Sequence, residues 1–515
     1  METWYTITIM ICSLTFLKSL YNVVISSNLK REKKTLPPGP IDLPLIGMLY
    51  LLGKNLFEVE ALLKSWITKY GPIITCRFGG FRPVVLLGTG SLVHEALVLK
   101  GALFADRPEL PPMSKIMTND GHSISNASYG PKWRSLRRNF TTFLHPSHFK
   151  SYTLIRQRVL RTLIQHLEVE SKSRKGVVKV IDHFQYAIFS VLALICFGNE
   201  LDEHQLHELE KATRQFLTLR TRFDVLDNFP IWFTKIFFQG RWKELFQVKN
   251  GVDEVILQHV IARELKQNER HGSHGPPVTY VDSLFELELE EENGRKRKLT
   301  KDQIISASAE FIGAGSETTL GVLQWIMANL VKYPDIQNKL LKEINEVVGE
   351  EVEEVTEEDL PKIPYLRAVV LEGLRRHPAI PLMLSHVATK EVELGGYTVP
   401  KNAVVNFMAA DIAWNPETWE EPLKFKPERF LTQEPFDICG SREVKMMPFG
   451  VGRRMCPGYI LALLHLEYFV ANLVRTFEWK PMEGDDVDLS PFHEFTVVMK
   501  HPLQSWISTR RGCIS

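Results

Sequence analysis

Hydrophobic positions along this chain fall into a helical rhythm over most of its length. From about Tyr152 onward apolar residues recur three and four apart, which predicts amphipathic helices on a shared core. Ile73–Phe78 and Pro83–Leu87, on either side of Gly79-Gly80, predict two short strands, so the expected fold class is mainly α with small β-sheets. The longest regular stretch opens at Thr300, which forms a capping-box signature with Gln303. It continues through Trp325 and Leu330 until Tyr333-Pro334 stops it. About 30 residues on one rod span ~45 Å, enough to cross a domain. In its middle stands Gly313-Ala314-Gly315-Ser316-Glu317-Thr318-Thr319, where each glycine costs about 1 kcal/mol against alanine. Two reasons would justify that cost. A neighbouring helix packs closely there, or the rod carries a groove, with an acid and a hydroxyl beside it, where a ligand or cofactor meets the backbone.

Polar runs mark the outside. Gln267–Pro277 reads as an exposed loop, and Glu286–Glu292 and Arg295–Lys298 read as solvated faces. His271 and His274 have nothing nearby to complete a metal set. At the N-terminus the apolar stretch Trp4–Ile25 would form a helix of ~33 Å, matching a bilayer core of ~30 Å. Lys30, Arg31, Lys33 and Lys34 follow it, whereas only Glu2 precedes it, so the positive-inside rule places the remaining chain in the cytosol. No small-residue cleavage site follows, which favours a retained anchor over a removed signal peptide. Lys18 lies within the span and must snorkel, or else the helix lies in the interface. Pro37-Pro38-Gly39-Pro40 then makes a stiff bend. The expected organisation is an anchor over 1–29, a basic and proline-rich hinge over 30–40, and one functional domain over 41–515. A cytosolic domain leaves the sequons at Asn126 and Asn139 unused.

Charge and composition narrow the function. Lys+Arg 62 against Asp+Glu 61 leaves a net charge of +1, so the chain offers no global field for a polyanion and no nucleic-acid partner is expected. Its 6 cysteines show no CxxC spacing, which argues against a disulfide scaffold and against structural zinc. One of them, Cys456, sits in Pro448-Phe449-Gly450-Val451-Gly452-Arg453-Arg454-Met455-Cys456-Pro457-Gly458, just before the apolar helical run Tyr459–Phe477. Free N–H groups and the positive end of that helix would favour a thiolate, the metal-binding form. Arg454 could reach an anionic group lying over the sulfur. A nucleophilic cysteine is the alternative, but no cysteine-hydrolase signature surrounds Cys456.

Phe449, Gly452, Arg454, Cys456 and Gly458 resemble the haem-binding loop of cytochrome P-450 monooxygenases. Further motifs of that family follow in order: Trp133 with Arg137, the groove Ala314–Thr319, Glu372 with Arg375, and Phe425 with Pro427-Glu428-Arg429-Phe430. The resemblance covers the whole chain, and its wording is closest to plant microsomal enzymes of specialised metabolism. It implies a cytochrome P-450 fold with haem b on Cys456. Trp133, Arg137 and Arg454 would meet the haem propionates, with His386 a weaker candidate. Glu317 and Thr318 would be the proton relay of dioxygen activation, because an acid and a hydroxyl on one helix can order the delivering water. The family more often carries Asp where Glu317 stands. Thr319 reads as structural. Glu372 and Arg375 would lock the core with Arg429.

By position in the family, Pro111–Ser123, Phe311–Ala314, Ala379–Met383 and Phe492–Val497 would line a largely apolar pocket for a lipophilic small molecule. The aromatic segment Phe229–Phe238 would either dip into the membrane or form a buried helix. No nicotinamide or flavin fingerprint is present, so electrons would come from NADPH through a separate flavoprotein reductase, with cytochrome b5 as a second donor. Lys132, Arg134, Arg138, Arg442, Lys445 and Arg453 form its expected docking patch. The resemblance thus implies oxidation of a plant metabolite by an enzyme of the endoplasmic reticulum membrane. The competing readings are a haem-thiolate isomerase or dehydratase, a fatty-acid hydroxylase or epoxidase, and a non-catalytic haem carrier.

Overall fold

The computed structural model describes Thr15, Lys18 and residues 36–40, 54, 56–77, 82–198, 201–219, 225–269, 279–290, 294–484 and 486–510. Thr15 and Lys18 are helical and exposed. The rest of the expected anchor, the basic cluster, Gly79-Gly80, His271 and His274 lie outside the described residues.

In chain order, α1 (Leu56–Tyr70) precedes β1 (Ile73–Cys76) and β2 (Val84–Leu87). Next come α2 (Pro131–Phe143), α3 (Thr153–Ser173), β3 (Val177–Lys179) and α4 (Val180–Phe197). Beyond them lie α5 (Glu203–Leu219), α6 (Ile231–Phe237), α7 (Gln239–Glu269), β4 (Glu288–Glu290), β5 (Lys296–Lys298) and the rod α8 (Lys301–Lys332). The chain closes with α9 (Pro364–Arg376), β6 (His386–Val387), β7 (Val404–Phe407) and α10 (Tyr459–Thr476). The last strands are β8 (Phe477–Lys480), β9 (Pro491–His493), β10 (Val497–Met499) and β11 (Gln504–Thr509).

The rod starts and stops where its caps dictate. Thr300 and Gln303 exchange side chain and backbone hydrogen bonds in a complete capping box, and Tyr333 ends the helix before Pro334. It lies among α4, α7, α9 and α10, and the Trp325 indole N–H donates to the Val497 carbonyl at 3.0 Å, fastening the rod to β10. Helix α4 is apolar enough to cross a bilayer, with a mean hydropathy of 1.8, yet 72% of it is buried inside the protein, where it forms the rod's main neighbour. One large apolar core gathers these helices, and a smaller one backs the sheet.

That sheet has the order β1-β2-β7-β6. The β1–β2 and β7–β6 pairs are antiparallel, and the β2–β7 pair is parallel, aligning Val84 with Val404. A second sheet joins β8, β11 and β3. The proline bend is part of the body: Pro37 is buried and the Pro38 carbonyl accepts from the Thr75 N–H at 2.8 Å. A Cβ on Gly39 would stand 1.8 Å from the Thr75 oxygen, so this approach needs glycine.

Three expectations shift. β1 ends at Cys76 and not at Phe78. Helix α7 runs through Glu269, so 267–269 of the expected loop are helical, and 270–277 lie outside the described residues. The two charged runs pair as the ribbon β4–β5, because Glu288 faces Lys298 and Glu290 faces Lys296 across the strands. The ribbon still presents its charges to solvent, and only Leu289 turns inward.

Candidate active site

Cys456 is placed by its loop. Gly452 has φ +72°, and a Cβ there would stand 2.1 Å from the Leu97 oxygen, so the chain can pass only as glycine. The Cys456 N–H donates to the Phe449 carbonyl at 2.8 Å, closing the loop before α10. A Cβ on Gly458 would point at the sulfur from 3.9 Å. Burial pushes the Cys456 thiol up, while the Gly458 N–H and Arg137 pull it down. The expected thiolate donors are therefore present, but burial outweighs them. A coordinating metal ion deprotonates a thiol outright, so this environment suits a metal ligand better than a free nucleophile.

Beside the loop, Arg107, Arg137 and Arg454 form a cluster of cations, and the Asp106 carboxylate acts on Arg107 and Arg454. The Arg454 guanidinium donates to the carbonyls of Ala105, Ala127 and Ile124 at 2.7, 2.7 and 3.3 Å. Arg107 donates to Ser125, Leu384 and Ser385 at 2.8, 2.9 and 2.8 Å. Asp106 takes backbone N–H groups of Arg107 and Tyr129. Burial lowers Arg107 to about 9 and Arg454 to about 10, and like charge adds to it at both, from Arg454 on Arg107 and from Arg137 on Arg454. Arg137 has no hydrogen bond or ion pair to its guanidinium among the described residues. Such a concentration of desolvated positive charge suits a group bearing two carboxylates. With the sulfur ligand alongside, the donor set fits an iron porphyrin.

Two expected members of this cluster bond backbone carbonyls. The Trp133 indole N–H donates to the Ile124 carbonyl at 3.1 Å, and its ring lies 4.4 Å from the Arg454 guanidinium, which it braces. His386 hydrogen bonds to the Phe104 carbonyl through Nδ1 at 2.6 Å, and burial lowers it to about 3. Because a carbonyl only accepts, Nδ1 carries the proton and the neutral ring has no second donor. The geometry of His386 favours its packing role, edge-on to Phe407.

On the rod, Ala314 is exposed although Ile312, Gly313, Ser316 and Glu317 are buried, so the middle of the helix faces an internal space. Thr318 shares that face, and its hydroxyl donates to the Ala314 carbonyl at 2.7 Å. Glu317 is turned by about 100° on the helix. Its Oε1 is buried without a hydrogen bond. Burial raises its pKa, Glu494 and Glu210 add to the rise, and Arg214 opposes it. Thr319 is buried. The glycines have different reasons. A Cβ on Gly315 would meet Leu192 of α4 at 3.1 Å, so close helix packing accounts for it, whereas Gly313 has room beside Thr213 of α5.

The locking triad forms as expected. Glu372 accepts from Arg375 at 2.7 and 2.8 Å, from Arg429 at 3.1 Å and from the Lys426 N–H at 2.8 Å. Both arginines lie over the Trp419 ring. The expected docking patch divides instead. Arg442 pairs with Glu434 and Lys445 with Glu443, while Arg453 bonds the Tyr129 hydroxyl and Arg134 and Arg138 stay exposed. The expected apolar pocket wall also carries an ion pair, Arg214 to Glu494 at 3.2 Å.

Arg107 and Glu310 escaped the sequence reading. Glu310, on the rod, accepts from the Ile124 and Ser125 N–H groups. Neither residue stands in a pattern that marks it, since their partners lie on distant segments.

A mainly helical body with a loop-held cysteine beside a cluster of half-buried arginines is the arrangement a haem-thiolate protein requires. The Cytochrome P450 family profile matches residues 37–507. The chain is 43% identical to cytochrome P450 89A9 of Arabidopsis thaliana, covering 99% of this chain and 100% of that one. It is 30% identical to cheilanthifoline synthase of Argemone mexicana, over 98% and 99% of the two chains. A solved structure of a zebrafish cytochrome P450 with abiraterone superposes with a TM-score of 0.72 at 24% identity, covering 88% of this chain and 100% of that one, and shares the fold. The chain belongs to the cytochrome P450 family, and it is a haem-thiolate monooxygenase acting on small molecules.

Proposed function

We propose that the chain is a membrane-anchored enzyme that takes electrons from NADPH, through a separate flavoprotein reductase, to insert one atom of dioxygen into a lipophilic metabolite of plant specialised metabolism. The observation that carries this reading is the Cys456 loop lying beside three half-buried arginines, one of which, Arg137, acts on the sulfur. Haem b, when bound, supplies dioxygen activation at its iron. Cys456 holds the iron through Sγ, in the turn set by Phe449, Gly452 and Gly458. Arg137 and Arg454, braced by Trp133, meet the two carboxylates, with His386 behind them as packing. Glu317, whose carboxyl burial raises, is the acid of the relay, and the Thr318 Oγ accepts a bridging water on the face it shares with Ala314. Retention of both groups supports dioxygen chemistry over the isomerase or dehydratase reading. The Argemone relative is named as the synthase of a single compound, which supports a dedicated small-molecule oxidation here.

The anchor is residues 1–29, and the hinge 30–40 docks its proline end on the catalytic domain 41–515, cytosolic at the endoplasmic reticulum. Ile231, Trp232, Ile236 and Phe237 of α6 are exposed, which removes the buried-helix alternative and offers a second membrane contact. Arg134, Arg138, Lys132 and Arg453 are the reductase and cytochrome b5 surface. The test is NADPH-dependent oxygen consumption by the full-length chain with reductase in microsomes, across classes of lipophilic compound. Cys456→Ser should lose the thiolate-type Soret band of the reduced carbon monoxide complex and all consumption. Thr318→Ala should divert electrons to hydrogen peroxide. Full coupling in that variant overturns the relay, and a wild-type protein without thiolate-ligated haem overturns the whole reading.

A further inference from the structure

We propose that Glu310 is a positioning residue, latching the Ile124–Ser125 turn to the rod and so fixing the groups that face the cofactor's carboxylates. The inference rests on the haem reading above. Glu310 lies on α8, one turn before Ala314. One of its oxygens accepts from the Ile124 N–H at 2.8 Å, and the other from the Ser125 N–H at 2.8 Å and from the Ser125 hydroxyl. The carbonyls of the same two residues face the cationic cluster. Ile124 O accepts from the Trp133 indole at 3.1 Å and from Arg454 at 3.3 Å, and Ser125 O accepts from Arg107 at 2.8 Å.

Two adjacent residues are thus gripped from both sides, by the carboxylate through their N–H groups and by the cations through their carbonyls. Donation to a carboxylate polarises a peptide and strengthens its carbonyl as an acceptor. Among the described residues Glu310 has no cationic partner, so its charge is answered by these two N–H groups and one hydroxyl. The latch therefore couples the helix beside the reacting centre to the edge that holds the cofactor, 185 residues apart in sequence.

The test follows haem transfer from the full-length holoenzyme to apomyoglobin, a rate that needs no turnover. Glu310→Gln replaces one acceptor by an NH2 group facing a donor. It should release haem about tenfold faster, equivalent to ~1.4 kcal/mol. Ser125→Ala, which keeps both N–H groups, should change the rate by about threefold at most. Glu310→Asp, which keeps the carboxylate, should fall between the wild type and Glu310→Gln. A wild-type transfer rate in Glu310→Gln overturns the proposal, and so does a lowered unfolding temperature without faster transfer. If Glu310→Gln does not fold, a wild-type rate in Glu310→Asp overturns it equally. A wild-type protein that lacks thiolate-ligated haem overturns the underlying reading, an outcome distinct from all of these.

Discussion

Replacing Glu372 by glutamine removes the carboxylate that Arg375 and Arg429 share. Glu372 and Arg375 are fully buried at 0% exposure and the Arg429 side chain is 8% exposed, so neither guanidinium can turn to water. Breaking a buried pair by losing one partner costs about 3–5 kcal/mol, because the other charge remains desolvated. Against a net stability of ~5–15 kcal/mol this is a large share. The temperature shift is nonetheless small. With an unfolding entropy of about 2.1 cal/mol/K per residue over roughly 475 residues, 4 kcal/mol lowers Tm by only ~4 °C. At fixed temperature the same loss changes the folded-to-unfolded ratio by about a thousandfold. The sensitive assay is therefore urea unfolding at 25 °C, followed by the Soret band and tryptophan fluorescence, with the yield of haem-loaded protein beside it. Glu372→Gln should lower the urea midpoint, and the triple change to methionine at 372, 375 and 429 should recover much of it, since no buried charge then remains. A single variant with an unchanged midpoint would refute the role of the triad as a lock.

Burial and Asp411 raise Glu60 to about 7. A carboxyl that binds its proton more tightly when folded makes stability fall as pH rises from about 4.5 to about 7, by on the order of 3 kcal/mol. Glu60→Gln should therefore be more stable than wild type at pH 8 and equal to it at pH 4, and a gain that does not depend on pH would sink the assignment. A chain beginning at Asn28 should still sediment with membranes through α6, and Trp232→Ser with Phe237→Ser should release it into the supernatant; if the truncated chain is already soluble, α6 is not a membrane contact. Arg134→Glu with Arg138→Glu should raise the KM for reductase and its salt dependence while leaving the haem spectrum intact, whereas unchanged kinetics would remove this patch.

The rod was legible because every local signal agreed: Thr300 with Gln303 at its start, Tyr333-Pro334 at its end, and apolar periodicity between. The cysteine loop was legible because glycines and prolines fix its path locally. What failed to show depends on distant partners. Glu310 looks like any helix-surface acid until the Ile124–Ser125 turn lies against it, and Arg107 beside Asp106 reads as an exposed pair until Leu384 and Ser385 enclose it. The ribbon β4–β5 was missed because its residues are charged, with propensities against strand, and only opposite charges across the pair offset that bias. For Trp133 and His386 the atoms they use are set by the carbonyls of Ile124 and Phe104, which no side-chain pattern announces.

The proline bend, docked on β1 through Pro38 and Thr75, also shields a sheet edge. β1 is the outer strand of its sheet, and an uncovered outer strand invites edge-to-edge pairing with another molecule. The segment 37–40 blocks that template with residues that mostly lack an N–H to offer a further strand. Versions of this enzyme without the anchor should therefore begin no later than Leu36. Cutting at residue 41 would remove the same hydrophobic anchor yet bare the edge, turning a protein meant to be monodisperse into one primed to associate.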